Sequence, residues 1–316
     1  MSPQLMRVAF FGSPAFALPV LDALLNHHDV RLVVTQPDRP AGRGLALQAP
    51  AAAKRSRELG LRLEQPTRLK GNEAFHDLLE GLELDVAVTA AYGRILPPSL
   101  LAVPRHGFLN VHASLLPRYR GAAPVQWALI NGEAETGVTI MQTEAGLDTG
   151  PVRLQRRVKV EAGDDASSLL RKLSELGAET VLEALSLLAE GTLPLAPQND
   201  DEATLAPPLK PEDGWIRWHD TAQRVVSRHR GVNAWPGSSF EHAQQRVKVE
   251  AMSVQGDSDS ASAAPGTVLQ LSADGLLVAA GSGTVLLETV KPAGKRAMAA
   301  RDWANGRGVR KGQVLG

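Results

Sequence analysis

Cysteine is absent from this 316-residue chain. Disulfide staples, thiolate nucleophiles and sulfur-ligated zinc sites are therefore excluded, and the chemistry must use oxygen and nitrogen. Aromatic residues are scarce at 4%, so the 43% hydrophobic content is chiefly aliphatic. No apolar run reaches the roughly 18 to 20 residues needed to span a bilayer. The amino terminus has no basic region, long apolar stretch and cleavage site in succession, so a cytoplasmic protein without membrane contact is expected. Net charge is also missing: 34 Lys and Arg offset 34 Asp and Glu.

What is present is unevenly placed. Residues 36–70 carry eight basic side chains against three acids, and residues 291–311 carry seven against one. Residues 190–213 reverse the balance, with six acids and only Lys210. Local basic surfaces are thus compatible with overall neutrality. The length favours two domains.

Short β-prone apolar runs occur at 6–11 (MRVAFF), 30–35 (VRLVVT), 85–89, 107–111 and 136–141, with a helical stretch at 14–26. Strands alternating with helices predict an α/β, Rossmann-like fold, its mostly parallel sheet covered by helices on both faces. Residues 151–160 (PVRLQRRVKV) alternate apolar and basic, as a half-exposed antiparallel edge strand does. A helix is expected over 166–190, with Leu169, Leu173, Leu176, Leu182, Leu185 and Leu188 near helical spacing, capped by Asp164 or Asp165 and stopped at Gly191.

Five prolines and an acidic cluster between 192 and 211 have the composition of a semi-rigid linker. The expected division is a catalytic domain at 1–191, a linker at 192–211 and a smaller domain at 212–316. In the last, short strands at 246–254, 266–271, 276–280 and 284–290, with little helix beyond 221–230, predict a small antiparallel β-barrel. The stretch 257–264 (DSDSASAA) is a low-complexity loop.

The segment 108–117 (FLNVHASLLP) carries Asn110 and His112 on an apolar strand that then breaks into a loop. Residues two apart on a strand face the same side, so amide and imidazole would share one pocket at the strand's carboxyl end. Acyl transfer to an amine needs a hydrogen-bond donor at the developing oxyanion and a group that manages the nucleophile's proton. Asn110 can supply the first and His112 either. The glycine-interrupted loop 144–151 (EAGLDTGP) adds a carboxylate, Asp148, suited to orienting an imidazole. Taken alone, Asn-X-His on a strand is more often a structural pattern, Asp148 a turn residue, and loop 36–44 a solvated surface loop. Gly12 lacks the further glycines of a dinucleotide fingerprint.

Five blocks, at 36–44 (QPDRPAGRG), 91–97 (AYGRILP), 110–124 (NVHASLLPRYRGAAP), 135–141 (ETGVTIM) and 146–150 (GLDTG), jointly resemble the methionyl-tRNA formyltransferase family of folate-dependent formyltransferases. The resemblance spans nearly the whole chain. It implies transfer of a formyl group from 10-formyltetrahydrofolate to the α-amino group of initiator methionyl-tRNA, by a protein that is a monomer and needs no metal. It makes Asn110, His112 and Asp148 the catalytic trio and places Ser114, Leu115, Leu116 and Pro117 along the folate pocket. It directs the 36–44 loop, with Arg39 and Arg43, to the acceptor end of the tRNA. It makes the carboxy-terminal domain an oligonucleotide-binding-like (OB-like) barrel in which Lys291, Lys295 and Arg296 (291–298, KPAGKRAM) attract phosphate. Two departures, Pro208 where the family commonly has Lys and Val232-Asn-Ala-Trp-Pro236 where it has Phe-Asn-Pro-Trp-Pro, fall in the linker and the second domain. Formyl transfer to another amine, such as an amino sugar, and an RNA-binding protein with a decayed catalytic domain are the competing readings.

Overall fold

In the computed structural model, residues 5–41, 46–256 and 263–316 are described. Two compact units emerge: one of residues 1–124, 135–159 and 169–207, the other of 125–134, 160–168 and 208–316.

The first unit contains strands β1 (Arg7–Gly12), β2 (Asp29–Val34), β3 (Arg39–Ala41), β4 (Ala46–Gln48), β5 (Leu63–Glu64), β6 (Val86–Ala90), β7 (Phe108–His112), β8 (Glu135–Gln142) and β9 (Val152–Lys159). Seven of them form one sheet in the order β5-β2-β1-β6-β7-β8-β9. The pairs from β5 to β7 are parallel, whereas β7–β8 and β8–β9 are antiparallel. The strands expected from apolar runs are therefore present, and the alternating run at 151–160 is the antiparallel edge strand. Order reverses between β1 and β6, because the chain leaves β1 for β2 on one side and returns through β6 on the other. Such a switch point opens a crevice at the carboxyl ends of the strands.

Helices cover both faces of the sheet. The α1 helix (Leu18–His27) and α6 (Ala166–Ala189) lie on the face of Val111: a Cβ at Gly177 of α6 would sit 2.8 Å from Val111 Cγ1. Helix α6 starts as expected, with Asp165 accepting from the Ser168 amide while its own amide donates to Ser168 Oγ. Gly191 follows its end at φ 72°. The buried stripe is Leu169, Leu173, Val181 and Leu185, while Leu176, Leu182 and Leu188 of the expected stripe are only half-buried. On the opposite face Phe75 and Leu79 of α3 (Glu73–Glu80) pack with Ala9, Phe11, Leu32, Val34 and Phe108. Helices α2 (Ala51–Glu58), α4 (Pro98–Leu101) and α5 (Pro124–Ile130) are short.

The stretch expected as a linker is paired with the first unit as far as residue 207. Val152 and Ala196 exchange backbone hydrogen bonds of 2.8 and 2.9 Å, and Arg120 donates to the Thr204 carbonyl at 2.8 Å and accepts from the Ala206 amide at 2.7 Å. Proline composition reports stiffness, but not which backbone groups find partners.

The second unit carries α7 (Ala222–Val232), β10 (Ser238–His242), β11 (Gln245–Gln255), β12 (Val268–Leu271), β13 (Leu276–Ala279), β14 (Thr284–Pro292), β15 (Met298–Ala299) and α8 (Ala300–Arg307). Its antiparallel sheet follows the path β10-β11-β14-β13-β12, with β15 on β14. Phe240, Val249, Leu287, Val290 and Trp303 lie in its core. This is the small β-domain expected. Helix α8 is an addition, buried only through Ala300, Trp303 and Ala304. No described helix is long and apolar enough to cross a membrane.

Phe11 is fully buried, with the rings of Phe108, Tyr92 and Phe75 edge-on at 5.1, 5.4 and 6.5 Å. Phe11→Ala should cost about 3–5 kcal/mol in urea unfolding of this unit. A loss below about 1 kcal/mol would show that the cluster does not hold the sheet.

Candidate active site

Strand β7 ends at the crevice. Thr89 of β6 lies in register with Asn110, and its hydroxyl donates to Asn110 Oδ1 at 2.7 Å. In this orientation the amide's oxygen faces the protein and its NH2 group turns outward. Asn110 Nδ2 makes no hydrogen bond among the described residues, and the side chain is half-buried.

Two positions on, His112 is 6% exposed. Its Nε2 lies 2.9 Å from the carbonyl oxygen of Tyr119, an atom that can only accept. Nε2 therefore carries hydrogen, and Nδ1 is the nitrogen free to gain or lose a proton. Nδ1 faces Asp148 Oδ2 at 3.7 Å, an ion-pair distance longer than a hydrogen bond. The same oxygen accepts from the Gly121 amide at 2.9 Å. Gly121 is required here: its φ is 124°, and a Cβ would stand 2.7 Å from the Ala206 carbonyl oxygen. The loop between β8 and β9 (143–151) brings Asp148 to His112 across 36 residues of sequence, and Asp148 itself takes φ 51°, a left-handed conformation that Asp tolerates.

The trio singled out in the sequence thus meets at one strand end. The segment after it is tightly held. Ser114 is fully buried and its hydroxyl donates to the Arg118 carbonyl at 2.6 Å, so that hydroxyl is committed to the turn. The Leu116 amide donates to Thr139 Oγ1 at 3.1 Å, and Gln155 donates to the Leu116 carbonyl at 2.8 Å. Leu115 packs over Gly137 of β8, and Pro117 is half-buried.

The root of the 36–44 loop is anchored at the same end of the sheet. Gln36 Nε2 donates to the Tyr92 and Gly93 carbonyls at 2.9 and 3.3 Å, and Gln36 Oε1 accepts from Arg39 and Arg94 at 2.9 and 3.0 Å. Arg39 is exposed; Arg43 lies outside the described residues. Lys291, Lys295 and Arg296 are exposed in the second unit. Sequence reasoning passed over their neighbours Lys248, in register opposite Lys291, and Arg246, whose guanidinium lies 4.9 Å from the exposed Trp215 ring. It also passed over Thr89, Tyr119 and Gly121, two of which act through backbone atoms. Among the described residues, the one grouping of three side chains able to ligate a metal is His76, Asp77 and Glu80 on α3, which includes none of the trio.

A family model described as Formyl transferase matches residues 6–185, and one described as Formyl transferase, C-terminal domain, matches residues 208–308. The chain belongs to the formyl transferase family. It is 51% identical over 307 residues to the methionyl-tRNA formyltransferase of Deinococcus radiodurans, covering 97% of this chain and 94% of that one. It is 47% identical over 312 residues to the protein of the same name from Thermus thermophilus, covering 98% and 99%. Within the family, the chain is thus one of the methionyl-tRNA formyltransferases. Among solved structures, an N-formyltransferase of Helicobacter canadensis in complex with folinic acid and dTDP-3-aminofucose superposes with a TM-score of 0.67 at 14% identity, covering 90% of this chain and 99% of that one. HypX of Aquifex aeolicus in complex with tetrahydrofolic acid gives 0.63 at 18%, covering 95% of this chain and 47% of that one. At these identities the likeness is one of fold.

Burial pushes the Tyr92 phenol up to about 12, partly offset by the nearby Arg94 charge. The folded protein keeps a proton that the unfolded chain releases near pH 10. The resulting stability is complete below about pH 10 and is lost as pH rises from about 10 to about 12. The phenol oxygen has no hydrogen-bond partner among the described residues. Tyr92→Phe should therefore fold with undiminished stability at pH 8 and flatten the fall in urea midpoint above pH 10. An unchanged slope would assign that fall to other groups.

Proposed function

We propose that Asn110, His112 and Asp148 carry transfer of the formyl group of 10-formyltetrahydrofolate to the α-amino group of initiator methionyl-tRNA. The observation that supports this most is the imidazole fixed through Nε2, with Nδ1 toward a carboxylate, two residues from an amide whose NH2 is unpaired. An unperturbed α-amino group has a pKa of roughly 7.7 to 8.0, so a useful fraction is neutral near physiological pH and needs no strong base to become nucleophilic. The donor supplies an activated formyl carbon. When the amine nitrogen bonds to it, Asn110 Nδ2–H donates to the oxyanion that develops. His112, protonated at Nδ1 and held by the Asp148 carboxylate, also stabilises that charge. The carboxylate lowers the cost of the imidazolium and helps pass the amine's proton to the folate nitrogen as the carbon–nitrogen bond to the carrier breaks.

Ser114, Leu115, Leu116 and Pro117 form the adjoining wall for the folate. The Ser114 contribution comes through the shape of the turn, since its hydroxyl is committed to Arg118. Arg39 and Arg43 present guanidinium groups to the acceptor end of the tRNA. Lys291, Lys295 and Arg296 of the OB-like unit, joined by Lys248, hold phosphates. Lys248 and Lys291 stand directly opposite across two strands, a like-charge pair that a phosphate between them would relieve. The same reading has the protein acting in the cytoplasm as a monomer, with domains divided near 192–211 and no resident metal.

Asn110→Ala, His112→Ala and Asp148→Ala should each lower turnover by about 10²- to 10⁴-fold with folding intact, measured as formyl transfer to charged initiator tRNA and by circular dichroism. Near-wild-type turnover in any one removes that residue from the mechanism. Charged elongator tRNA and an amino-sugar nucleotide should be poor acceptors in that assay; preferred formylation of the amino sugar would overturn the tRNA reading. Lys291→Ala should weaken tRNA binding at low salt and flatten the dependence of log K on log salt by a slope of about 0.7 to 0.9. An unaltered slope excludes Lys291 from phosphate contact.

A further inference from the structure

We propose that Gln198, in the stretch whose composition reads as linker, is a positioning residue that holds the Asp148 carboxylate against His112. The proposal rests on the assignment of Asp148 above. Residues 144–147 are exposed, and Asp148, its side chain 16% exposed, sits at a left-handed φ of 51°, so intrinsic backbone preference does not keep it in place. Hydrogen bonds do. Gln198 Nε2 donates to the Asp148 carbonyl at 2.8 Å and to the Gly150 carbonyl at 2.7 Å, using both of its hydrogens to clamp the two sides of the Asp148–Gly150 turn.

The amide is itself oriented. Gln198 Oε1 accepts from Arg120 Nε at 3.0 Å and Nη2 at 2.8 Å, and a guanidinium can only donate, so the amide's NH2 end must face the loop. Arg120 is buried, and its Nη2 is also shared with Asp200 Oδ1 at 2.7 Å. Arg120 is next to Gly121, whose amide grips the Asp148 carboxylate. One arginine and its neighbour thus fix the catalytic loop from two directions, by backbone at Gly121 and through Gln198. Displacement of a reacting group by about 1 Å can cost on the order of 10²-fold in rate.

The donor hydrogens can be removed without disturbing the arginine. Gln198→Glu keeps an acceptor for Arg120, now charged, and sets a carboxylate oxygen against two carbonyls. Gln198→Met keeps the shape and removes both functions. In the full-length enzyme, Gln198→Glu should keep a higher Tm than Gln198→Met, leave KM for both substrates within about 3-fold, and lower kcat by about 10- to 100-fold. Gln198→Met should show the same kcat loss with a lowered Tm. A merely structural glutamine would move stability and activity together. Asp148→Ala is assayed alongside. If it is inactive while Gln198→Glu keeps more than half of wild-type kcat, or loses only KM, the positioning role is overturned and the site assignment stands. If Asp148→Ala is itself active, the assignment fails and the positioning role with it.

Discussion

A single carbonyl oxygen decides how the imidazole of His112 can be used. Because the Tyr119 carbonyl accepts and never donates, it takes the Nε2 hydrogen at 2.9 Å and leaves Nδ1 as the variable nitrogen. Nδ1 is also the nitrogen that points to Asp148. Tautomer, ring orientation and carboxylate partner are therefore set together by the turn that follows β7. If that turn moved, the ring could rotate and Asp148 would face carbon.

The turn is held by segments far away in sequence. Thr139 and Gln155 of the antiparallel strands secure Leu116, and Thr204 Oγ1 accepts from the Tyr119 amide at 2.8 Å. Residues 192–207 thus do more than connect: they lie against the loop that carries Tyr119 and close over Gly121. On the other side of the crevice Gln36 ties the root of the basic loop to the carbonyls after β6. Antiparallel β8 runs from the His112 end of β7 toward its amino end, so the loop between β8 and β9 must fold back to set Asp148 beside His112.

The sheet was legible because parallel strands buried on both faces are continuous apolar runs, as at residues 6–11 and 85–89. Helix α6 was legible from its leucine spacing and its Asp165 cap. Helices α2 and α8 were not: α2 buries only Ala52, Ala53 and Ser56, and α8 only Ala300, Trp303 and Ala304, too little apolar signal to set a period. At the site, side chains that do chemistry could be given roles from the sequence, whereas their supports could not. Asn110, His112 and Asp148 stand out by residue type in recognisable blocks. Tyr119 and Gly121 contribute backbone atoms, which no residue type announces. Gln198 lies among prolines and acids whose composition reads as a solvated tether. The partnership of Lys248 with Lys291 is a matter of strand register, which the long intervening stretch of chain conceals.

The chemistry of the site depends on which imidazole nitrogen carries the hydrogen in the neutral ring, and nitrogen-15 NMR of histidine-labelled enzyme reads that directly, with His112→Gln identifying the resonance. The hydrogen is expected on Nε2, with Nδ1 bare. A neutral His112 carrying its hydrogen on Nδ1 would contradict the arrangement and the mechanism built on it.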